Sequence, residues 1–401
     1  MRILDSPPRI ALVSGCLKLG GSTTFLCNLG GELARRNIPV HVFSLEQGNP
    51  LAGDFQSLRI PVSILDDGPR IYEDRLAACA AALRAFEPTV VIGNLGPASF
   101  EVLRYMPQGI ARVGVAHSNE EGAYRTLAIY RDHMDAVVGV SKIVTQRLQA
   151  MEAFSGKHVA LIHCGIPMPS ALSPADASGG PLRILYLGRL EDELKRVRLF
   201  PEIYRQLCAS GIPFLWTVAG DGRERAFLEA EMKGGRPDQR VVFTGQVEYA
   251  DVPALMDAQD VLLLVSSSEG LPLSLLETMG RGVVPVVSNL ESGIPEVVNP
   301  ANGMLVPVDD VPGYARALVY LHHHREELAE KRLQARAQVY PAYSTATMAD
   351  RWLALAASFS SSAPARWPAK TDILPPLGHE HAFAFSLAGR WGRRLLRKLR
   401  R

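Results

Sequence analysis

Two glutamates, Glu269 and Glu277, stand eight residues apart in a stretch whose composition suits binding of a hydroxyl-rich ligand. The apolar run Val261–Val265 precedes them and is typical of a buried parallel strand, and Leu275–Met279 is predicted to be helical. Ligands of parallel α/β sheets bind beyond the carboxyl ends of the strands. A carboxylate there can accept hydrogen bonds from two sugar hydroxyls at once. Two glutamates at this spacing mean little alone, but the surrounding strand, serine-rich turn and helix make this strand end a candidate ligand site.

Two basic residues, Arg189 and Lys195, follow another predicted strand, Arg183–Leu187. A planar guanidinium together with a flexible ammonium suits a diphosphate, both when it binds and when negative charge grows on it as a leaving group. Taken alone, the run Lys195–Arg198 is more typical of a solvated basic loop.

Two glycines, Gly20 and Gly21, come between the first predicted strand and the first predicted helix. Residues without side chains let a ligand approach the backbone, and a helix N-terminus favours anions. A tight turn with no ligand is the competing interpretation.

Single residues at three further strand ends complete the set of candidates. His117 follows the predicted strand Ala111–Ala116, where it either contacts a ligand or serves the structure alone. Gly220 and Val247 follow two strands of the second half, and each would by itself indicate only a turn. The run His322–His324 is not predicted to bind metal, because consecutive helical residues do not face one point.

These landmarks in this order resemble the retaining glycosyltransferases of family 4, which have the GT-B fold. The resemblance covers Arg9–Phe359 and is carried by Gly-Gly-Ser-Thr-Thr after the first strand, by Gly188-Arg-Leu with Lys195, and by two glutamates in the E-x7-E spacing. One departure is Arg196, where many family members have glycine. It leaves open which cation of this loop would touch phosphate.

The resemblance implies a role for each matching position. Arg189 and Lys195 would hold the diphosphate, Glu277 would accept the ribose hydroxyls, and Glu269 would orient the donor sugar. The remaining implied donor contacts are Gly20, Gly21, Gly220, Val247, Gly270 and Leu271, and the implied catalytic group besides Glu269, Arg189 and Lys195 is His117.

The resemblance also implies a reaction, the transfer of a sugar from a nucleotide-sugar to a glycan or lipid-linked acceptor with an α-linkage. The donor would be a UDP-, GDP- or ADP-sugar, no cofactor would be required, and metal would not be essential because cations replace it. Cell-surface polysaccharide or glycolipid assembly is the expected setting, and no nucleic-acid partner is expected.

Other classes of protein compete with this interpretation. An NAD-type oxidoreductase is disfavoured, because no G-x-G-x-x-G follows the first strand with an acid closing the second. A non-catalytic nucleotide or sugar binder stays an alternative, as does another GT-B enzyme such as a sugar-nucleotide epimerase. A phosphorylase would need a phosphate or cofactor site that the sequence does not display.

The elements that must position these residues alternate between strand and helix, twice over. This pattern predicts two Rossmann-like α/β domains with parallel sheets facing a cleft. The predicted divisions are an acceptor-binding domain (1–164), a linker (165–182), a nucleotide-sugar-binding domain (183–340), a terminal helix that packs back on the first domain (341–359), and a flexible connector with a basic tail (360–401).

The sequence has neither a secretory signal nor an apolar run long enough to cross a membrane. We therefore expect the protein to lie in a reducing cytoplasm. The five cysteines are scattered, which predicts buried thiols. Between 390 and 401 the chain carries seven basic residues and no acid, with an apolar residue at every fourth position from Phe383 to Leu399. This pattern is typical of an interfacial amphipathic helix, so peripheral binding to an anionic membrane surface through 382–401 is expected.

Overall fold

The structure, a computed structural model, describes residues 7–18, 20–46, 49, 51–65, 71–172, 180–359, 365–368, 371–374 and 377. They divide into two compact units. The first combines the residues up to Val140 and Val144–His163 with those from Met348 onward, and the second holds Ser141–Ile143 and Cys164–Thr347. The predicted tail, 382–401, lies outside the described residues.

The first unit contains a parallel sheet to which the described residues contribute seven strands. In chain order they are β1 Ile10–Ser14, β2 Val40–Ser44, β3 Val62–Ile64, β4 Val90–Leu95, β5 Ala111–Ala116, β6 Ala136–Gly139 and β7 His158–Leu161. Across the sheet the order is β3-β2-β1-β4-β5-β6-β7. The central strands β1, β4 and β5 are mostly apolar and almost entirely buried, as expected for a sheet covered by helices on two sides.

Helices connect these strands, and the last helix of the described residues joins the same unit. They are α1 Gly21–Arg35, α2 Ala52–Ser57, α3 Tyr72–Phe86, α4 Pro97–Glu101, α5 Glu121–Ile129 and α6 Lys142–Ala150, with 3-10 turns at Val102–Tyr105, Arg131–His133 and Glu152–Phe154. The last helix, α15 Thr345–Ser358, places Trp352 against Phe25 of α1, with ring centroids 6.1 Å apart.

The second unit contains a parallel sheet with six strands among the described residues. They are β8 Leu182–Leu187, β9 Phe214–Ala219, β10 Gln239–Gly245, β11 Val261–Leu264, β12 Val284–Ser288 and β13 Met304–Val306. The spatial order is β10-β9-β8-β11-β12-β13, so the order reverses between β8 and β11. The prediction of two parallel-sheet α/β domains is therefore confirmed.

The helices of the second unit include several that are only one or two turns long. They are α7 Asp192–Lys195, α8 Phe200–Ser210, α9 Arg225–Glu231, α10 Val252–Asp257, α11 Leu273–Gly280, α12 Ile294–Val297, α13 Val311–His323 and α14 Arg325–Val339, with a 3-10 turn at Val197–Leu199. The sequence predicted one largely helical stretch over Val311–Val339, whereas the structure divides it at His324. The two parts pack on different elements, α13 on α8 and α14 on α11.

A close approach between two loops shapes the carboxyl end of the second sheet. Gly220 has φ +133°, and a Cβ built there would lie 1.9 Å from the carbonyl oxygen of Gly188. A Cβ at Gly222 would lie 2.3 Å from the carbonyl oxygen of Leu190. The backbone N–H of Leu190 donates to the carbonyl of Asp221 at 2.9 Å. Glycine at these positions therefore lets the turn after β9 lie directly against the loop after β8.

All five cysteines are free thiols, and most of them are buried as the sequence predicts. Cys27, Cys79 and Cys164 are buried, and Cys16 and Cys208 are partly buried. No helix among the described residues combines the length and the apolar character that crossing a membrane would require.

Candidate functional site

The candidate residues of the second unit follow the two strands between which the strand order reverses. Arg189 and Lys195 follow β8, and Glu269 follows β11. At such a switch point the chain leaves neighbouring strands in opposite directions, which opens a crevice beyond their carboxyl ends. This is the position where parallel α/β sheets bind nucleotides and other ligands.

Lys195 and Glu269 form an ion pair in this crevice. Lys195 Nζ donates to Glu269 Oε1 at 2.6 Å, and Ser266 Oγ donates to the same oxygen at 2.7 Å. The two charged side chains are 23% and 10% exposed. No donor of the described residues contacts Glu269 Oε2. The pair therefore retains free capacity, two ammonium hydrogens on one side and a carboxylate oxygen on the other.

Arg189 is held by its backbone while its guanidinium stays accessible. Tyr186 donates through its hydroxyl to the carbonyl oxygen of Arg189 at 2.6 Å. The guanidinium is 46% exposed and lies 2.9 Å from the carboxylate of Glu191. It does not contact Lys195 or Glu269, so the structure brings two of the three predicted charged residues of these loops into contact and leaves the third on the loop surface.

Arg196 is the cation of this loop that departs from the family pattern, and it pairs with an acidic residue. Its guanidinium contacts both carboxylate oxygens of Asp309, at 2.8 and 2.9 Å. Lys195 is thus the cation of this turn that reaches the Glu269 loop, and Arg196 is engaged elsewhere.

Glu277 lies in the second turn of α11 with part of its surface exposed. No hydrogen-bond donor of the described residues contacts its carboxylate. Burial among surrounding protein atoms raises the pKa of Glu277 to about 7, and the nearby Arg281 opposes this shift. Arg281 itself contacts both carboxylate oxygens of Asp257 at 2.8 Å. Among the described residues the Glu277 carboxylate therefore accepts no hydrogen bond, and hydroxyl donors of a ligand would supply one.

The turn at Gly220 connects the Arg189 loop with the end of β10. Its N–H donates to the carbonyl of Gly245 at 2.8 Å, while its Cα packs against Gly188. Val247 follows Gly245 by two residues and is partly buried. Gly270 and Leu271 are buried, and the N–H of Gly293 donates to the carbonyl of Gly270 at 2.5 Å. These residues lie in the turns at the carboxyl end of the second sheet.

In the first unit, Gly20 and Gly21 form the N-terminus of α1. Gly20 has φ +153°, a conformation that L-residues with side chains rarely adopt, and a Cβ there would meet no atom within 4 Å. Its carbonyl accepts the N–H groups of Thr23 and Thr24, at 3.0 and 3.1 Å. The glycine therefore starts the helix with open space above its backbone.

His117 follows β5 and is oriented by Asn94, a buried residue in β4 that the sequence analysis missed. Asn94 Nδ2 donates to the carbonyl of Ser22 at 3.1 Å, which turns Asn94 Oδ1 toward His117 Nε2, 2.6 Å away. The histidine therefore carries its proton on Nε2 and presents Nδ1 as an acceptor. Burial lowers the pKa of His117 to about 4, so the ring is neutral at physiological pH.

Within the residues that the structure describes, no group of three or more His, Cys, Asp or Glu side chains is arranged to hold a metal ion. His324 stacks on Tyr320 with ring centroids 3.9 Å apart, and His322 contacts Arg325.

Two protein families match the chain, one in each half. Glycosyltransferase Family 4 matches residues 19–168, and Glycosyl transferases group 1 matches residues 181–324. A relative is the putative colanic acid biosynthesis glycosyltransferase WcaL of Escherichia coli (strain K12). It is 29% identical over 282 residues, which make up 66% of this chain and 69% of WcaL.

Solved structures share the fold at low sequence identity. A mutant of S. aureus TarM in complex with Fondaparinux, alpha-GlcNAc-glycerol and UDP is similar with a TM-score of 0.73 and 13% identity, over 88% of this chain and 100% of that one. Anabaena HepE in complex with UDP is similar with a TM-score of 0.69 and 16% identity, over 87% of this chain and 100% of that one. The chain belongs to glycosyltransferase family 4 and is a glycosyl-transferring enzyme of the GT-B fold.

Proposed function

We propose that the chain transfers a sugar from a nucleotide-α-sugar to a hydroxyl of a glycan or lipid-linked acceptor, with retention and therefore an α-linkage. The observation that carries this proposal is the contact between Lys195 and Glu269 at the switch point of the second sheet. It combines a cation for a diphosphate with a carboxylate for a sugar at one strand end.

The donor would bind to the hydrogen-bond donors and acceptors that the Lys195–Glu269 contact leaves unused. Arg189 and the two remaining hydrogens of the Lys195 ammonium would bind diphosphate oxygens, while Glu269 Oε2 would accept a hydroxyl of the sugar. Glu277 would accept the ribose hydroxyls. Backbone groups near Val247 would contact the base, and Gly220 would let the nucleotide approach the turn.

In the proposed reaction the bond between the anomeric carbon and the diphosphate oxygen breaks. The acceptor oxygen forms its bond on the same face of the sugar, and its proton passes to the departing diphosphate. The chain contributes positioning and charge stabilisation, because Arg189 and Lys195 oppose the negative charge that develops on the diphosphate. Gly20, Gly21 and His117 stay candidate contacts of the first unit.

Relatives suggest the setting of the reaction and a first choice of donor. WcaL is named for colanic acid biosynthesis, which supports a proposed role in cell-surface polysaccharide assembly. TarM and HepE were solved with UDP, which supports a UDP-sugar ahead of GDP- and ADP-sugars.

We also propose that the basic tail associates peripherally with an anionic membrane surface. The stretch that leads to it contacts the first unit: Arg84 of α3 donates to the carbonyl of Pro368 at 2.9 Å, and the N–H of Leu377 donates to the buried Glu101 carboxylate at 3.1 Å. These contacts would fix the start of the tail near α3 and α4. Lipid-linked acceptors at a membrane would then be within reach of the enzyme.

The first prediction concerns nucleotide binding, measured by calorimetry with UDP, GDP and ADP. One of them should bind in the micromolar range, and Lys195→Ala and Glu277→Ala should each weaken this binding by roughly tenfold or more, because each removes a charged contact. In turnover the loss should reach roughly 100-fold, about 3 kcal/mol of transition-state stabilisation. Lys233→Ala, an exposed lysine of the same unit, is the matched control and should change neither. Absence of binding to all three nucleotides would contradict the proposal.

The second prediction concerns stereochemistry. Slow hydrolysis of an α-configured donor, followed by proton NMR within the first minutes, should release the α-anomer of the sugar before mutarotation, because attack occurs on the face that the diphosphate leaves. Initial release of the β-anomer would show inversion and remove this part of the proposal, while leaving the nucleotide site intact.

The third prediction concerns pH. Glu277 titrates near pH 7 in the free enzyme, and ligand hydroxyls stabilise its ionised form, so binding must release the proton that Glu277 holds at lower pH. Nucleotide affinity should therefore fall by roughly tenfold from pH 8 to pH 6. Glu277→Gln removes this titration while the phosphate titration of the nucleotide stays the same. An equal pH dependence in the wild type and in Glu277→Gln would refute the assignment.

The fourth prediction concerns the tail. Co-sedimentation with vesicles that contain phosphatidylserine should be lost when 382–401 is deleted, whereas vesicles of phosphatidylcholine alone should bind neither form. Binding should also weaken with added salt. Unchanged co-sedimentation of the truncated protein would refute a membrane role for this segment.

A further inference from the structure

Arg196 and Asp309 form an ion pair whose two members both have left-handed backbones. Arg196 has φ +53° and Asp309 has φ +63°. The left-handed conformation costs a non-glycine residue roughly 1–2 kcal/mol. Aspartate tolerates this conformation more readily than arginine does. The guanidinium binds Asp309 through three contacts of 2.8 to 3.1 Å. Two strained turns, far apart in the chain, are thus tied to each other.

The first of these turns carries Lys195. Arg196 closes the single helical turn α7, its N–H donating to the carbonyl of Asp192 at 3.1 Å. Lys195 is the last residue of α7, and Val197 on the other side of Arg196 is fully buried. The backbone at Arg196 therefore decides the direction in which the Lys195 side chain leaves the turn.

The second turn is anchored in the body of the unit. Asp309 precedes α13, where the Asp310 carboxylate accepts the N–H of Gly313 at 2.9 Å and caps the helix. The helix packs on α8 and β12. Asp309 therefore provides a fixed point, whereas the single turn α7 has no buried residue of its own. On its opposite side α7 is held by the carbonyl of Leu194, which accepts the N–H of Ser267 at 2.9 Å.

We propose that Arg196 is a positioning residue which, clamped to Asp309, fixes the α7 turn and so holds the Lys195 ammonium at Glu269 and at the diphosphate of the donor. The inference rests on the proposed function for its ligand, but the placement of Lys195 can be tested without one. Arg196 itself need not touch the donor, since its guanidinium is occupied by Asp309.

The test without ligand measures acetylation of Lys195 by acetic anhydride in the full chain, followed by peptide mass spectrometry. In the wild type the ammonium is paired and 23% exposed, so it should react slowly. Arg196→Ala and Asp309→Asn should each raise its reactivity relative to Lys233 by roughly three- to fivefold, as expected from the loss of one partly exposed ion pair. The double variant should add little further, because both changes remove the same contact.

Two variants distinguish the effect of the Arg196–Asp309 ion pair, the clamp, from a general loosening of the second unit. Arg196→Gly accepts the left-handed backbone without strain and still loses the clamp, so it should raise Lys195 reactivity although the turn can form. Arg205→Ala removes an exposed arginine that pairs with Glu202 on α8, and it should leave Lys195 unchanged. Reactivity equal to the wild type in Arg196→Ala, Arg196→Gly and Asp309→Asn would overturn the inference.

A second readout connects the clamp to ligand. Arg196→Ala should weaken UDP binding by roughly three- to fivefold but should have no effect in a Lys195→Ala background, because it acts through Lys195. An equal loss in both backgrounds would overturn the positioning role. Should UDP fail to bind the wild type, the proposed donor is wrong, and the acetylation result alone decides whether the clamp exists.

Discussion

The candidate site of the second unit depends on the reversal of strand order between β8 and β11. All strands of this sheet are parallel, so their carboxyl ends share one edge, and the chain leaves β8 and β11 toward opposite sides. That geometry brings Lys195 and Glu269 into contact although 74 positions separate them in the chain. Close glycine turns then fix the neighbouring loops by backbone contacts, which do not depend on the side chains that face the ligand.

The Lys195–Glu269 pair places one positive and one negative charge in contact at the candidate site. Both groups are largely withdrawn from water, and removal of either would leave the other without its partner at considerable cost. The Lys195 ammonium has two hydrogens besides the one that it donates to Glu269, so in the proposed complex a diphosphate could share it with Glu269. The pair can therefore stabilise the free enzyme and still serve the proposed reaction, since the two functions use different hydrogens and oxygens of the same groups.

Much of the fold could be predicted because buried parallel strands are continuous apolar runs. The runs at Val261–Val265 and Ala111–Ala116 mark strands at nearly the observed bounds. The edge strands β3 and β13 were missed, because three residues with partial exposure carry no such signal. The break at His324 has no glycine or proline to mark it and follows from packing on two different elements.

The sequence indicated where the site residues lie relative to the strands, but it did not indicate which of their side chains contact each other. Strand-end placement indicated Lys195 and Glu269, yet nothing in the sequence gave their distance. Asn94 could have been found from its place at the end of β4, beside the strand that leads to Gly20, but an asparagine there is also typical of a turn. The Arg196–Asp309 pair depends on backbone conformations for which arginine gives no sequence signal.

The two units differ in the kind of chemistry their candidate residues can perform. His117 is neutral above a pKa of about 4, and Asn94 fixes its tautomer, so it can offer only a hydrogen bond at physiological pH. In the proposed reaction, charge stabilisation of the leaving diphosphate would then come from Arg189 and Lys195 of the second unit. Among the candidate residues with a resolved pKa shift, Glu277 is the one that titrates near neutrality. Its protonation, and not that of the histidine, therefore links the proposed donor site to pH.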